Sequence, residues 1–313
     1  MLQLRRLVFA LAGSLALAAP ALAGKLAIVI DDVGYRPSTE NQVLAMPAEV
    51  SVAVLPNAPH AREMATKAHN QGHDVLIHLP MAPLSKQPLE KDTLRPDMSS
   101  EEIARIIREA VNDVPYAIGM NNHMGSAMTS SLPGMQKVMA ALAHYNLFFL
   151  DSMTIGNSQA MRAAAGTGVK VIKRKVFLDD TQNEADIRYQ FNRAVALARR
   201  NGSAIAIGHP HPSTVRVLQQ MLYSLPPDIT LVRASSLLNE PQVDTSRPNA
   251  APPSQTVPAA PRNPFRGVKL CKPKRQPEPV YATRFFTVIS ESVSESAVVS
   301  YFRHQWQGWG KQS

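Results

Sequence analysis

The chain has 313 residues, 45% of them hydrophobic, one cysteine and a formal net charge of +9. That length allows one large domain or two small ones, and the lone Cys271 excludes an intramolecular disulfide. The charge is no nucleic-acid signature: between residues 25 and 240, 21 Lys and Arg face 20 Asp and Glu, whereas beyond residue 240 ten basic residues face four acidic ones.

Residues 1–23 combine Arg5 and Arg6, an apolar stretch and the ending Ala21-Leu22-Ala23, the pattern of a cleavable export signal. The expected location is periplasmic, with a retained N-terminal anchor as the alternative. No later apolar run is long enough to span a bilayer.

From residue 25 to about 238, strand-like and helix-like patterns alternate. The first strand, 26–30, is an Ile/Val run covered on both faces, and it runs into Asp31 and Asp32. Neighbours on a strand point to opposite faces, so these two acids can share a site only if the strand ends between them. Gly34 makes a turn there plausible.

A second strand spans 50–55 and a helix 58–71, closed by Gly72. A third strand, 75–79, stops at Pro80 and is followed by a Pro-rich loop over 81–97. Residues 99–114 form an amphipathic helix opened by a capping box, Ser99 with Glu102. Further strands are expected at 117–120, 147–150, 169–172 (extending to 176–178), 204–207 and 229–232. Helices are expected at 133–145, 184–200 and 214–225.

Seven or eight strands alternating with helices predict an α/β fold, a distorted (β/α) barrel of parallel strands. An open doubly wound sheet is the alternative. Residues 24–240 form that domain. Residues 241–264 are a Pro-rich linker, and 265–313 a basic, aromatic tail. The tail suits contact with an envelope protein or an anionic membrane surface, or else a disordered, solvated end.

Polar residues recur at strand ends: Asp31 and Asp32, His78, the run Asn121-Asn122-His123 with Ser126, Asp151 with Ser152, and His209. In a barrel these all lie on one rim. An Asp with two His is a suitable ligand set for a catalytic zinc, leaving a position open for water. Neither Ser126 nor Ser152 sits in G-x-S-x-G, which argues against a serine hydrolase. His60, His69 and His73 surround a helix and read as solvent-facing.

Five segments carry a family resemblance: AIVIDDVG (27–34), GHDVLIHLPM (72–81), IGMNNHMGS (118–126), FLDS (149–152) and AIAIGHPHP (204–212). Over roughly 25–238 the chain resembles the divergent polysaccharide deacetylase family, a distant branch of the NodB-like carbohydrate esterases. The resemblance implies a metal-dependent hydrolase, with zinc or another divalent metal, that removes acetyl groups from an envelope glycan such as peptidoglycan.

By the same resemblance Asp31 matches the catalytic base, Asp32 and His78 match metal ligands, and His209 matches the histidine that assists the leaving group. Asp151 resembles the acid that orients the site. The family's ordinary second motif has another histidine four residues after His78, where this chain has Ala82. His123 resembles its replacement as a metal ligand. Asn121, Asn122, Ser126 and Ser152 are the expected substrate contacts. The alternative function on this barrel is a catalytically inactive glycan-binding or scaffold protein of the envelope.

Overall fold

A computed structural model describes residues 23–240. The expected export signal, linker and tail lie outside the described residues. Among these, no helix is long and apolar enough to cross a membrane.

The elements follow in chain order. β1 (Gly24–Val33) and α1 (Pro37–Leu44) lead to β2 (Ser51–Val54), α2 (Ala61–Asn70) and β3 (Val75–Met81). After a long loop come α3 (Ser100–Asp113), β4 (Gly119–Met124), α4 (Ser126–Ser130), α5 (Leu132–Leu142) and β5 (Phe148–Asp151). The short α6 (Ala160–Ala163), β6 (Val171–Lys173) and β7 (Val176–Phe177) precede α7 (Glu184–Asn201), β8 (Ser203–Gly208), α8 (Pro212–Met221) and β9 (Ile229–Leu231).

All strand pairings are parallel, and the order is β6-β5-β4-β3-β2-β1-β8-β7, with β9 beside the start of β1. This is the cyclic order of an eight-stranded barrel with one seam open, between β6 and β7. It has no reversal point, so the doubly wound alternative is excluded. Only Arg174 and Lys175 separate β6 from β7. The two edges of the sheet therefore lie within three residue steps, at most about 10 Å of chain. The sheet must roll round to bring them together, which makes it a distorted barrel.

Alternation along each strand makes two cores. Leu26, Ile28, Ile30, Val52, Val54, Ile77, Met120 and Phe149 pack outward against the helices. Ala27, Val29, Ala53, Leu76, Phe148, Leu150, Ile205 and Ile207 fill the interior, closed at the bottom by Ala234 and Leu237. β1 is the longest strand and is buried along nearly its whole length.

Several boundaries differ from the sequence reading. β3 continues through Pro80, whose carbonyl accepts from Leu94 N–H at 2.9 Å. β4 includes Asn121, Asn122 and His123, because the two asparagines find buried partners and need not leave the sheet. Ser99 caps α3 by accepting from Glu102 N–H at 3.2 Å, but the Glu102 carboxylate turns to Arg105 rather than closing the capping box. His73 is buried, not solvent-facing: its ring nitrogens sit 2.7 Å from Val50 O and 3.0 Å from Leu44 O.

Candidate metal centre and active site

The same two-residue period that fills the interior builds the site. Continuing from Val29, Leu76, Leu150 and Ile207, it aims Asp31, His78, Ser152 and His209 into the barrel mouth. Asp32 is out of phase and enters by another route. Pairing between β1 and β2 shifts register between Ile30 and Val33, and Asp32 takes a left-handed φ of 57°. The strand does not end between the acids. It bulges, and the bulge turns both carboxylates toward one site.

Gly34 completes the turn at a φ of 122°. A Cβ there would meet Ala58 Cβ at 2.6 Å.

Three side chains from three strand ends converge. Asp32 Oδ1 lies 3.2 Å from His78 Nε2 and 3.0 Å from His123 Nδ1, and the two nitrogens are 3.1 Å apart. Ligands about 2.0–2.1 Å from a tetrahedral zinc would stand roughly 3.3 Å from one another, so the triangle is close to that size. Asp32 Oδ1 is buried and has no hydrogen-bond partner. An orphaned carboxylate oxygen facing two imidazole nitrogens is a donor set that a divalent cation would satisfy.

Burial pushes the Asp32 carboxyl up, but the adjacent His123 and His78 imidazoles outweigh it and hold the group below the usual carboxylate range. Burial pulls His78 down, and the Asp31 and Asp32 charges more than offset this.

Asn121 organises the floor. Its Oδ1 lies 2.8 Å from His78 Nδ1, which directs His78 Nε2 at the triangle. Its Nδ2 donates to Asp31 Oδ1 at 2.8 Å and to Ser152 Oγ at 3.3 Å. The second Asp31 oxygen stays 3.7 Å from His78 Nε2. Burial pushes the Asp31 carboxyl up, against the pull of His78 and His209.

His209 stands on the opposite side, its Nε2 3.9 Å from Asp32 Oδ2. Its Nδ1 lies 2.9 Å from Asp179 Oδ1, and its backbone N–H donates to Asp179 Oδ2 at 2.7 Å. Thr214 also donates to Asp179 Oδ2, at 2.7 Å. Burial pulls the His209 imidazole down, but Asp179, with help from Asp31 and Asp32, raises it to about 9. That direction favours the protonated ring at neutral pH. Asp179, His209 and His211 also bring donor atoms within 4.8 Å of one another, but the Asp179 oxygens are already engaged.

The remaining candidates lie apart. Asp151 is in phase with Phe149, on the helix-facing side of β5, and accepts from Met153 N–H at 2.9 Å. The carboxylate against His209 is Asp179, not Asp151. Asn122 accepts from Ser152 N–H at 2.9 Å and donates to Met124 O at 2.6 Å. Ser126 Oγ accepts from Leu84 N–H at 2.8 Å, pinning the loop after β3.

A cavity of about 210 Å³ opens over Asp32, His123 and His209, walled by Tyr35, Arg36 and Glu90. The sequence reading missed Asp179, Tyr35, Arg36 and Glu90. Asp179 had a usable signal, since an Asp-Asp pair closes the short strand at 176–177. Glu90, inside a Pro-rich loop, had none.

Comparison with known proteins follows this geometry. The sequence model of the divergent polysaccharide deacetylase family matches residues 28–238. An uncharacterized protein, YibQ, of Escherichia coli (strain K12) is 78% identical over 312 residues, covering 100% of this chain and 97% of that one. An uncharacterized protein of Haemophilus influenzae is 48% identical over 224 residues, covering 72% of this chain and 80% of that one. The crystal structure of an uncharacterized protein from Agrobacterium tumefaciens C58 superposes with a TM-score of 0.64 at 20% identity, covering 70% of this chain and 91% of that one. That likeness shows a shared fold.

Proposed function

Because the chain belongs to the divergent polysaccharide deacetylase family, we propose that it is a periplasmic, zinc-dependent hydrolase that removes acetyl groups from an envelope glycan such as peptidoglycan. One observation carries the reading: Asp32, His78 and His123 converge to within 3.2 Å, flanked by the buried Asp31 carboxyl and the His209 ring.

Asp32 Oδ1, His78 Nε2 and His123 Nδ1 would hold the cation. When bound, zinc supplies a Lewis acid for the acetyl carbonyl and lowers the pKa of water toward neutrality. Asp31 accepts the proton of the attacking water through the oxygen that Asn121 leaves free. Its raised pKa suits it to that task. His209 donates its Nε2 proton to the departing amine or alcohol, and Asp179 stabilises the imidazolium until then. One C–N or C–O bond breaks, one C–O bond forms, and acetate leaves.

The test is metal analysis and acetate release from purified cell-wall sacculi, with His78→Ala and His123→Ala in parallel. The reading expects zinc in the wild type, loss of zinc in both variants and loss of acetate release with it. Equal metal content in all three proteins would remove the proposed centre. Sacculus binding with metal intact but no acetate release would support the non-catalytic glycan-binding alternative.

A further inference from the structure

We propose that Glu90 is a positioning residue for the metal centre: it holds His123 by the nitrogen facing away from the cation. The inference rests on the metal reading above, and it concerns a residue of the long loop between β3 and α3.

The two histidines of the triangle present different nitrogens. His78 offers Nε2 and is steadied through Nδ1 by the amide of Asn121 at 2.8 Å. His123 offers Nδ1, and its Nε2 points the other way, 3.6 Å from Glu90 Oε1. That is ion-pair distance. Among the described residues His123 is the ion-pair partner of the Glu90 carboxylate. A carboxylate facing that nitrogen favours the ring orientation that turns Nδ1 toward Asp32 and His78, as outer carboxylates orient metal-bound histidines.

The loop is tied down on both sides of Glu90. Ala82 N–H donates to Leu94 O at 2.8 Å, and Leu94 N–H donates to Pro80 O at 2.9 Å, so the loop's two ends meet beside β3. Within it, Thr93 Oγ1 donates to the Glu90 carbonyl at 2.6 Å, and Asn57 Nδ2 donates to the Lys91 carbonyl at 3.0 Å. Leu84 N–H is bound by Ser126, which sits just beyond β4, the strand that carries His123. The carboxylate is therefore placed by the protein, and its side chain is only 33% exposed.

The experiment titrates zinc into chelator-stripped, full-length protein against a chromophoric competitor at neutral pH. Glu90→Ala should weaken zinc binding by about 10–100-fold. Glu90→Gln should fall between it and the wild type, because the amide keeps a polar group of the same size facing Nε2 but removes the charge. Glu63→Gln, which removes an exposed carboxylate beside His60, should bind as the wild type does. Far-UV circular dichroism of the stripped proteins should coincide.

If Glu90 acts through His123, adding Glu90→Ala to His123→Cys, where a thiolate can still ligate but offers no ring nitrogen for Glu90 to hold, should weaken zinc no further. Wild-type affinity in Glu90→Ala overturns the proposal. So does an equal loss with and without His123, which would make Glu90 act on the cation itself. A stripped wild-type protein that takes up no zinc defeats the metal centre as a whole, a different outcome from either.

Discussion

His209 Nδ1 and Asp179 Oδ1 are 2.9 Å apart at the ends of two neighbouring strands, and Asp179 is fully buried behind the ring. The pair raises the His209 imidazole, which suits it to the proposed role of acid at neutral pH. Asp179→Asn keeps the shape and an acceptor oxygen but removes the charge. Acetate release at neutral pH should fall, by up to about 10²–10⁴-fold, the usual worth of one acid–base group. The alkaline limb of the pH profile should move down from near 9 toward 6.5.

The same pair makes a stability prediction. A folded pKa raised from 6.5 to about 9 means stabilisation that is complete below 6.5 and lost as the pH rises through 9. Thermal melts of the chelator-stripped protein should show that loss between these values. Asp179→Asn melts should be flatter over the same interval.

Asn121 joins the expected base to an expected ligand, with one amide touching both Asp31 and His78. Asn121→Leu fills similar space but leaves the buried Asp31 Oδ1 and His78 Nδ1 without these partners. Zinc affinity should drop by about 10–100-fold, as at other outer-shell positions. Unaltered competitor titrations in this variant would mean the amide has no hold on the centre.

Asp151 offers a contrast, because burial pushes its carboxyl up and it faces the helices. Asp151→Asn can still accept from Met153 N–H. A buried acid with a raised pKa destabilises the fold only when it must ionise. The variant should therefore melt level with the wild type below the ordinary value of 3.8, and increasingly above it as the pH rises. If Asp151 instead orients the reacting groups, acetate release will fall despite the higher melting temperature.

Gly34 is needed twice, for its φ of 122° and for the 2.6 Å that a Cβ would leave to Ala58. Gly34→Ala should cost about 1–3 kcal/mol from backbone strain alone, lowering Tm by several degrees. Because Gly34 follows the bulge directly, zinc affinity should weaken too. A variant with unchanged Tm would show that the turn relaxes freely.

Much of this molecule was legible from local pattern. The alternation of β-branched runs with amphipathic segments implied parallel strands under helices. Those strands carried Asp31, His78 and His209 to one rim because residues two apart share a face. What lay outside that logic was decided by contacts between residues far apart in the chain. Asp32 joins its site through a register slip against β2, which no stretch of β1 encodes by itself. Asp179 rather than Asp151 meets His209 because β7, not β5, is the neighbour of β8. Asn121 reaches Asp31 across 90 residues of sequence, and Glu90 faces His123 only because the loop that carries it folds back beside β3. Periodicity is a property of neighbours along the backbone, whereas the partner of a buried charge depends on which strands lie side by side and in what register.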